Sequence, residues 1–375
     1  MKKAALFASV AGLLLSMSTA RAAEYTVAII QSMSGALAFV GVPLVDGMKL
    51  AAEEINAKQE LGPGNTLKLI IEDDETNRAQ AVSLVKRHAA DPKVLAIMGP
   101  TTTAVAIAGA QAANEEKIVA LVTTNSPEIA KTGPYGFRLS QPPEVLMEAI
   151  GKYSVEKLGI KECVLIGVLD NAAYVEQTQA YQDYVTSKGV KILAREGIKQ
   201  GDTDFSALSA KVASMNPECV FMSAIAPTAA NLIIQLKQAG LPPTTKLVGM
   251  SSMTSAALFE VGGAAVEGLY LVGDWVPGGG SEQGKAFAAA YKKRFGTEPD
   301  NWGPMGYGGL RVMSEAIRKS LPDATRDKIR ENLAQIKDYP TLFGGGKFTY
   351  DPQRAPRYGT NILVVKNGQF VLAPN

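Results

Sequence analysis

Two clusters of hydroxyl side chains have the residue types for nucleophilic catalysis, helix capping or ligand binding. The first cluster consists of Thr101, Thr102 and Thr103, and the second consists of Thr124 and Ser126. Each cluster follows a short apolar run, residues 94–98 and residues 118–122 respectively. Such a run predicts a buried strand, so both clusters are expected at strand ends.

Nucleophilic catalysis by these hydroxyls would need a general base, and the sequence offers little choice of one. His88 is the only histidine of the chain, and we interpret it as a solvated or dipole-facing residue near the end of a helix. A Ser-His-Asp triad could form only around it, and no Gly-x-Ser-x-Gly motif is present. Because a site with several histidine ligands is also excluded, we predict that the protein is not an enzyme.

Two other motifs resemble cofactor or metal sites. Residues 279–286 nearly match a phosphate-binding loop, but Ala286 stands where the magnesium-binding hydroxyl should be. We interpret this segment as a flexible joint that enters a helix. Residues 72–76 gather acids without the spacing of a calcium loop, and we expect these acids to stabilise the start of the next helix. The sequence therefore predicts no cofactor and no metal.

The hydroxyl clusters remain as candidates for ligand binding. In an open parallel sheet, ligands bind beyond the carboxyl ends of the strands, where both clusters are expected. The first cluster also begins a predicted helix, whose free backbone N–H groups and dipole favour an anion such as a carboxylate. Threonine is also a common capping residue, but two clusters at consecutive strand ends favour a ligand pocket.

Alternating strand-like and helix-like segments predict an α/β fold that positions these clusters. The first series of alternating segments ends at the Pro142-Pro143 pair, and a second series follows it. Two such series predict two lobes, each a parallel sheet flanked by helices. Near the end of the chain, a Lys-Asn-Gly sequence at residues 366–368 predicts a hairpin.

The first 22 residues predict a cleaved secretory signal. A basic start is followed by an apolar centre at residues 4–17 and a small-x-small cleavage site at residues 20–22. The centre is shorter than a membrane span of about 20 residues, and we expect no later apolar segment to reach this length. No cysteine follows the predicted cleavage site, so we expect an exported soluble protein without a lipid anchor.

The charge balance argues against a nucleic-acid partner. The chain has 38 basic and 36 acidic residues, and removal of Lys2, Lys3 and Arg21 with the signal leaves 35 against 36. A nearly neutral chain lacks the basic surface that nucleic-acid binding requires.

Cys163 and Cys219 each open an apolar, strand-like segment. In an exported protein these two cysteines could be oxidised to a disulfide if the two strands were neighbours. A disulfide demands a specific geometry, so we interpret them as two small buried residues and keep a disulfide as the alternative.

From Thr26 to about Leu372, the chain resembles type I periplasmic solute-binding proteins of the branched-chain amino acid class, which serve ABC transporters. The resemblance rests on the segments "SMSGALAFVGVPLVDGMKLAAEEIN", "DDETNRAQAV", "IMGPTTTAVA", "YGFRLS" and "DFSALSAKVASMNPECVFMSA". It implies a periplasmic monomer that closes two lobes, joined by three crossings, on a small ligand and delivers it to membrane permease subunits. The lobe boundaries expected from it are 23–140 with 275–342 for the first lobe and 141–274 with 343–375 for the second.

The resemblance also assigns roles to particular residues. It implies that Thr103, Thr124 and Ser126 bind the carboxylate of the ligand, and it aligns an aromatic residue of the second lobe with Tyr174. Thr101 and Thr102 complete the predicted helix start. The ligand body is expected against apolar and aromatic side chains: Phe39, Tyr174, Ile225 and Trp275.

Three departures from the family pattern bear on the ligand. Ile225 stands at a tyrosine position of the second lobe, Val40 stands at an aromatic position of the first, and Ser251 stands near the acid that pairs with an ammonium group. A buried ammonium without an acid would cost several kcal/mol. We therefore predict a carboxylate ligand that lacks an α-amino group, such as benzoate or a phenyl-keto acid.

Three alternatives stay open. An amino acid or amide could bind if Asp170 or Asp274 supplied the missing charge. A sensor would pass the closed state to a separate receptor instead of a permease. An exported hydrolase using serine or threonine would lack an evident base.

Overall fold

Two sheets form the framework of the two lobes in the computed structural model, which describes residues 22–276 and 280–374. Residues 1–21 of the predicted signal and residues 277–279 of the predicted joint lie outside the described residues. The α/β fold with two helix-flanked lobes is as predicted from the sequence.

The first-lobe sheet has five parallel strands in the order β2-β1-β3-β4-β5. Its strands are β1 (Glu24–Gln31), β2 (Thr66–Asp73), β3 (Val94–Thr101), β4 (Val119–Thr123) and β5 (Gly136–Arg138). Helices α1 (Ala38–Ala57), α2 (Arg78–Ala89), α3 (Thr103–Glu115) and α4 (Glu128–Lys131) alternate with them. Val27 and Ile29 face one buried cluster and Ala28 and Ile30 face another, so both faces of the sheet are covered.

The second-lobe sheet has seven strands in the order β15-β14-β10-β9-β8-β6-β7. Its strands are β6 (Glu162–Val168), β7 (Lys191–Ile198), β8 (Cys219–Ser223), β9 (Lys246–Gly249), β10 (Tyr270–Gly273), β14 (Asn361–Lys366) and β15 (Gln369–Leu372). Its helices are α5 (Pro143–Glu156), α6 (Ala172–Ser187), α7 (Ser206–Ser214), α8 (Ala226–Gln238) and α9 (Ala256–Gly262). The predicted hairpin is confirmed, since β14 and β15 pair antiparallel around Asn367 and Gly368, both with positive φ.

Three helices and a small sheet complete the first lobe. They are α10 (Glu282–Phe295), α11 (Trp302–Lys319) and α12 (Arg326–Ala334), with strands β11 (Tyr339–Pro340), β12 (Lys347–Tyr350) and β13 (Pro356–Arg357). Helices α1 and α11 pack backbone to backbone. A Cβ at Gly47 would lie 1.9 Å from the carbonyl oxygen of Gly303, and one at Gly306 would lie 1.9 Å from that of Leu44. Only glycine permits this approach.

The segment Gly35–Ala57, which contains α1, is long and apolar enough to cross a membrane. The expectation that no later apolar segment reaches this length is therefore wrong. The reason is its position in the first-lobe core, where Leu44, Val45 and Met48 are at most 1% exposed.

The chain passes between the lobes three times. The first two crossings follow β5 and β10, and the third connects β13 to β14. Four aromatic residues that follow the expected lobe boundary at residues 342/343 pack in the first-lobe core: Phe343, Phe348, Tyr350 and Tyr358. The third crossing therefore comes after Tyr358, and the expected boundary between residues 342 and 343 is wrong. Mutual packing of these rings, with centroids 4.7 Å apart for Phe343 and Tyr358, keeps this segment on the first lobe.

Cys163 and Cys219 form a disulfide with a Cα–Cα distance of 4.4 Å. The preferred interpretation of two unbonded residues is therefore wrong. The physical reason is strand order, because β6 and β8 are direct neighbours in the second-lobe sheet, with Val164 opposite Val220.

Candidate ligand-binding site

A cavity of about 720 Å³, counting the space at its open side, lies between the two lobes. It is bounded by residues that follow the carboxyl ends of strands in both sheets, the position expected for ligands in open α/β sheets. First-lobe residues at these ends include Thr101, Thr123, Thr124 and Asn125, and second-lobe residues include Asn171, Ile225, Met250 and Asp274.

Most of the residues predicted from the sequence meet at this cavity. Those that line it are Thr101, Thr102, Thr103, Thr124, Tyr174, Ile225 and Ser251. Phe39, Ser126 and Trp275 are outside the lining, so the structure does not bring the complete predicted set together.

Each of these three residues has a packing role that explains its position. Ser126 is fully buried, and its backbone N–H donates to the Thr124 hydroxyl over 3.3 Å, so it positions a lining residue. Trp275 packs edge-on against Phe287 in the first-lobe core. Phe39 packs against the cores of both lobes beside the cavity.

The hydroxyl groups differ in how far the protein already satisfies them. The Thr103 and Thr124 hydroxyl oxygens lie 3.2 Å apart, and either can donate to the other. The Thr101 hydroxyl donates to the side-chain oxygen of Gln31, whose amide nitrogen donates to the carbonyl oxygen of Met98 over 3.5 Å. Thr103 and Thr124 therefore form the pair available to a ligand, while Thr101 is held by the first-lobe sheet.

The start of α3 has a strained backbone. Thr102, which immediately precedes this helix, has φ 72° and ψ 145°, and no side chain caps the helix. A β-branched residue at positive φ is unusual and is typical of functional sites. Gly99 fixes the approach to this turn, because a Cβ there would lie 2.0 Å from the carbonyl oxygen of Ile30. The free N–H groups and dipole of α3 suit an anion.

On the second-lobe side, Tyr174 is fixed by a relay of hydrogen bonds. Its hydroxyl bonds to Ser252, whose own hydroxyl donates to the carbonyl oxygen of Ala224 over 2.7 Å. Burial raises the pKa of Tyr174 to about 12, so the ring presents a neutral wall. Ile225, from the N-cap of α8, adds an apolar surface that packs against both lobes.

Asp274 is the buried acid of the cavity. Its carboxylate accepts the Tyr358 hydroxyl over 3.1 Å and the Asn301 amide over 3.5 Å, and it is also hydrogen-bonded to Ser251. Burial raises its pKa. Asp170, the other acid considered from the sequence, is exposed and accepts the backbone N–H of Gln200, and it does not line the cavity.

Several lining residues carry no sequence signal that would have identified them. Gln177 comes from the middle of α6, and Trp302 and Met305 come from the first turns of α11. They reach the cavity only because the fold places α6 and α11 beside it. Asn125 lies within the second hydroxyl segment and could have been included on that basis.

One sequence interpretation outside the cavity needs partial correction. The carboxylates of Asp73 and Asp74 accept the backbone N–H of Met33 and the hydroxyl of Ser32, while Asn77 caps α2, so electrostatic stabilisation of this helix start by the acids stays a prediction. His88 is buried and not solvated, but it lies in the last turn of α2, as the helix-end alternative predicted, with its Nε2 3.3 Å from a carboxylate oxygen of Glu72. Within the described ranges, no group of three His, Cys, Asp or Glu side chains could hold a metal.

Comparison with known proteins identifies relatives over nearly the whole chain. A sequence model of the family described as "Periplasmic binding protein" matches residues 24–369. An "Amino acid binding protein" from Pseudomonas aeruginosa is 25% identical over 310 residues, which cover 81% of this chain and 80% of the relative.

Solved structures with the same fold include proteins with different ligands in their names. A leucine-binding protein from Thermotoga maritima superposes with a TM-score of 0.83 at 24% identity, covering 93% of this chain and 97% of that one. A solute-binding protein of an ABC transporter from Rhodopseudomonas palustris, in complex with 3,4-dihydroxybenzoic acid, superposes with a TM-score of 0.82 at 24% identity, covering 92% and 95%.

Proposed function

The chain belongs to the periplasmic binding protein family, and from this premise we propose that it captures a small carboxylate ligand that lacks an α-amino group. Aromatic acids such as benzoate or a phenyl-keto acid fit this description. The protein would work in the periplasm as a monomer and deliver the ligand to the permease of an ABC transporter.

The observation that carries this proposal is the Thr103–Thr124 hydroxyl pair beside the uncapped start of α3. Hydroxyl and backbone N–H donors converge there on one side of the cavity. Hydrogen bonds to a charged acceptor are stronger than those to a neutral one. A carboxylate is the small anionic group that matches this set of donors.

The other walls suit an apolar ligand body. Val40, Leu37 and Met305 are buried on the first-lobe side, and Tyr174 and Ile225 lie on the second-lobe side. An aromatic ring gains from burial against such walls, because apolar area is removed from water.

The ammonium group of an amino acid has no free carboxylate partner in the cavity lining. Ser251 is uncharged, and Asp274 already accepts hydrogen bonds from Tyr358 and Asn301. Both carboxyl oxygens of Asp274 therefore already have hydrogen-bond donors from the protein. This supports an acid that lacks the amine.

Binding of an amino acid or amide is the second candidate function, and Asp274 is the reason for retaining it. This carboxyl lines the cavity, and it could exchange a protein donor for an ammonium group. The similar proteins described above include amino acid binding proteins as well as one in complex with an aromatic acid.

A thermal-shift screen distinguishes these two candidates. The mature protein is unfolded and refolded to remove any bound compound, then tested with benzoate, phenylpyruvate, leucine and isoleucine. A ligand at 100 times its Kd adds about 2.7 kcal/mol of stability. Stabilisation by the acids alone supports the lead proposal. Stabilisation by leucine, lost in Asp274→Asn, supports the second candidate.

Delivery to a permease needs a separate experiment. Deletion of the gene should abolish uptake of the labelled acid by intact cells, and the acid recovered from the protein should be chemically unchanged. Normal uptake combined with loss of a transcriptional response to the acid would instead indicate a sensor that acts through a separate receptor.

A further inference from the structure

We infer that Gln177 hydrogen-bonds to a hydroxyl group on the body of the ligand, which narrows the ligand class to hydroxy-substituted aromatic acids. This inference rests on the proposed function, because it assumes a carboxylate held at the start of α3. Gln177 would then determine the preference of the protein for hydroxy-substituted over unsubstituted aromatic acids.

The position of Gln177 is the first observation. It lies on α6, three residues after Tyr174, so both side chains project from the same face of the helix. Gln177 lines the cavity and is only 2% exposed. A long polar side chain so deeply buried is uncommon unless its polar atoms are paired.

The second observation is an unpaired acceptor. Within the described part of the chain, the side-chain oxygen of Gln177 is buried and has no hydrogen-bond partner. On the same helix, the Thr178 hydroxyl is paired and donates to the carbonyl oxygen of Tyr174 over 2.8 Å. Glu176 also has a buried side-chain oxygen without a partner among the described residues, but it does not line the cavity. Of the two unpaired groups, Gln177 is therefore the one that reaches the cavity.

The chemistry of the missing partner follows from the acceptor. A carboxylate has no hydrogen to donate, and it is expected at Thr103 and Thr124. The donor must therefore be on the body of the ligand. Trp302, which lines the cavity from the first lobe, has a buried indole N–H without a partner among the described residues. A hydroxyl can donate to an amide oxygen and also accept from an indole N–H, whereas an aromatic amine is a poor acceptor.

Isothermal titration with matched acids tests this inference. The refolded mature protein is titrated with benzoate, 3- and 4-hydroxybenzoate, 3- and 4-methylbenzoate, and 4-aminobenzoate. We expect one or both hydroxy acids to bind at least about tenfold more tightly than the methyl acid substituted at the same ring position. The methyl acid cannot donate a hydrogen bond, so it leaves the side-chain oxygen of Gln177 unpaired.

The variant Gln177→Met keeps a side chain of similar length without hydrogen-bonding groups, so the hydroxy-to-methyl affinity ratio should fall to about one. Gln179→Met, on the exposed side of the same helix, is the matched control and should keep the wild-type ratio. Trp302→Phe should lower the ratio if its N–H meets the same hydroxyl group.

These measurements distinguish failure of the inference about Gln177 from failure of the proposed function. If the acids bind but Gln177→Met keeps the wild-type ratio, the inference is wrong and the proposed function stands. A wild-type ratio near one overturns the inference without any variant, even if Gln177→Met does not fold. If none of the acids binds, the proposed function itself fails.

Discussion

The hydroxyl of Tyr358 donates a hydrogen bond to a carboxylate oxygen of Asp274 over 3.1 Å, and this bond joins the third crossing between the lobes to the second. The side-chain oxygen of Gln141, on the first crossing, accepts the backbone N–H groups of Tyr358 and Gly359 at 3.0 and 3.2 Å. All three crossings therefore share one buried network, and Asp274 brings it to the cavity wall.

Tyr358→Phe should weaken ligand binding by about tenfold, because it removes a hydrogen bond to a buried carboxylate that holds the crossings in this arrangement. Titration calorimetry measures the affinity, and small-angle scattering with and without ligand measures lobe closure. Tyr350→Phe is the matched control, since its hydroxyl donates to the carbonyl oxygen of Arg138 within the first lobe. Equal affinities in the two variants would argue against a hinge role for Tyr358.

Thr103→Val should reduce affinity for the bound acid by roughly ten- to a hundredfold, as expected for loss of a hydrogen bond to a charged group. The fold should persist, because valine has nearly the same shape. Thr245→Val is the control: this threonine is also buried and donates to the carbonyl oxygen of Pro217, and it precedes β9, whereas the cavity residue Met250 follows the other end of that strand. Unchanged affinity in Thr103→Val would remove this residue from the site.

Thr102→Gly should stabilise the ligand-free protein by about 1 kcal/mol, because glycine tolerates the positive φ that strains threonine, less the entropy that glycine gains in the unfolded chain. Thr102→Ala keeps a Cβ and should give no such gain. Chemical denaturation compares the three proteins. A gain in Thr102→Ala as large as that in Thr102→Gly would show that the side chain of Thr102, and not its backbone conformation, is the source of the strain.

The sequence was sufficient to predict the lobes and one side of the site. Strand periodicity and helix starts are local features, and they identified Thr103 and Thr124 at the ends of β3 and β4. The disulfide was only the second choice from the sequence, because strand order within a sheet is a long-range property. The pairing of β6 with β8 placed Cys163 beside Cys219.

The other side of the site depends on packing that no local pattern encodes. Trp302 reaches the cavity because α11 lies against α1, and that contact depends on glycines more than 250 residues apart in the chain, Gly47 and Gly306. Trp275 was misassigned for the converse reason. A tryptophan next to a cavity residue looks like a ligand contact in the sequence, whereas the fold directs it into the first-lobe core.

Asp300 connects the lobes on the side of α11. Its carboxylate accepts the backbone N–H of Trp302 over 2.8 Å at the start of this helix, and it is hydrogen-bonded to Ser255 of the second lobe. Burial raises the pKa of Asp300 from 3.8 to about 7. The helix start and the hydrogen bonds oppose this shift but do not cancel it.

Asp300→Asn should remove a pH dependence of stability. A carboxyl whose pKa is higher in the folded than in the unfolded chain binds more protons when folded, so stability falls as pH rises from about 4 to about 7. Asparagine keeps an oxygen that accepts the Trp302 N–H but does not titrate. Melting temperatures at intervals between pH 4 and 8 should therefore fall more steeply in wild type than in the variant. The other titrating groups, including Asp274 and His88, are common to both proteins, so the difference between the two curves isolates Asp300. Parallel curves over this range would mean that Asp300 stays ionised in the folded protein.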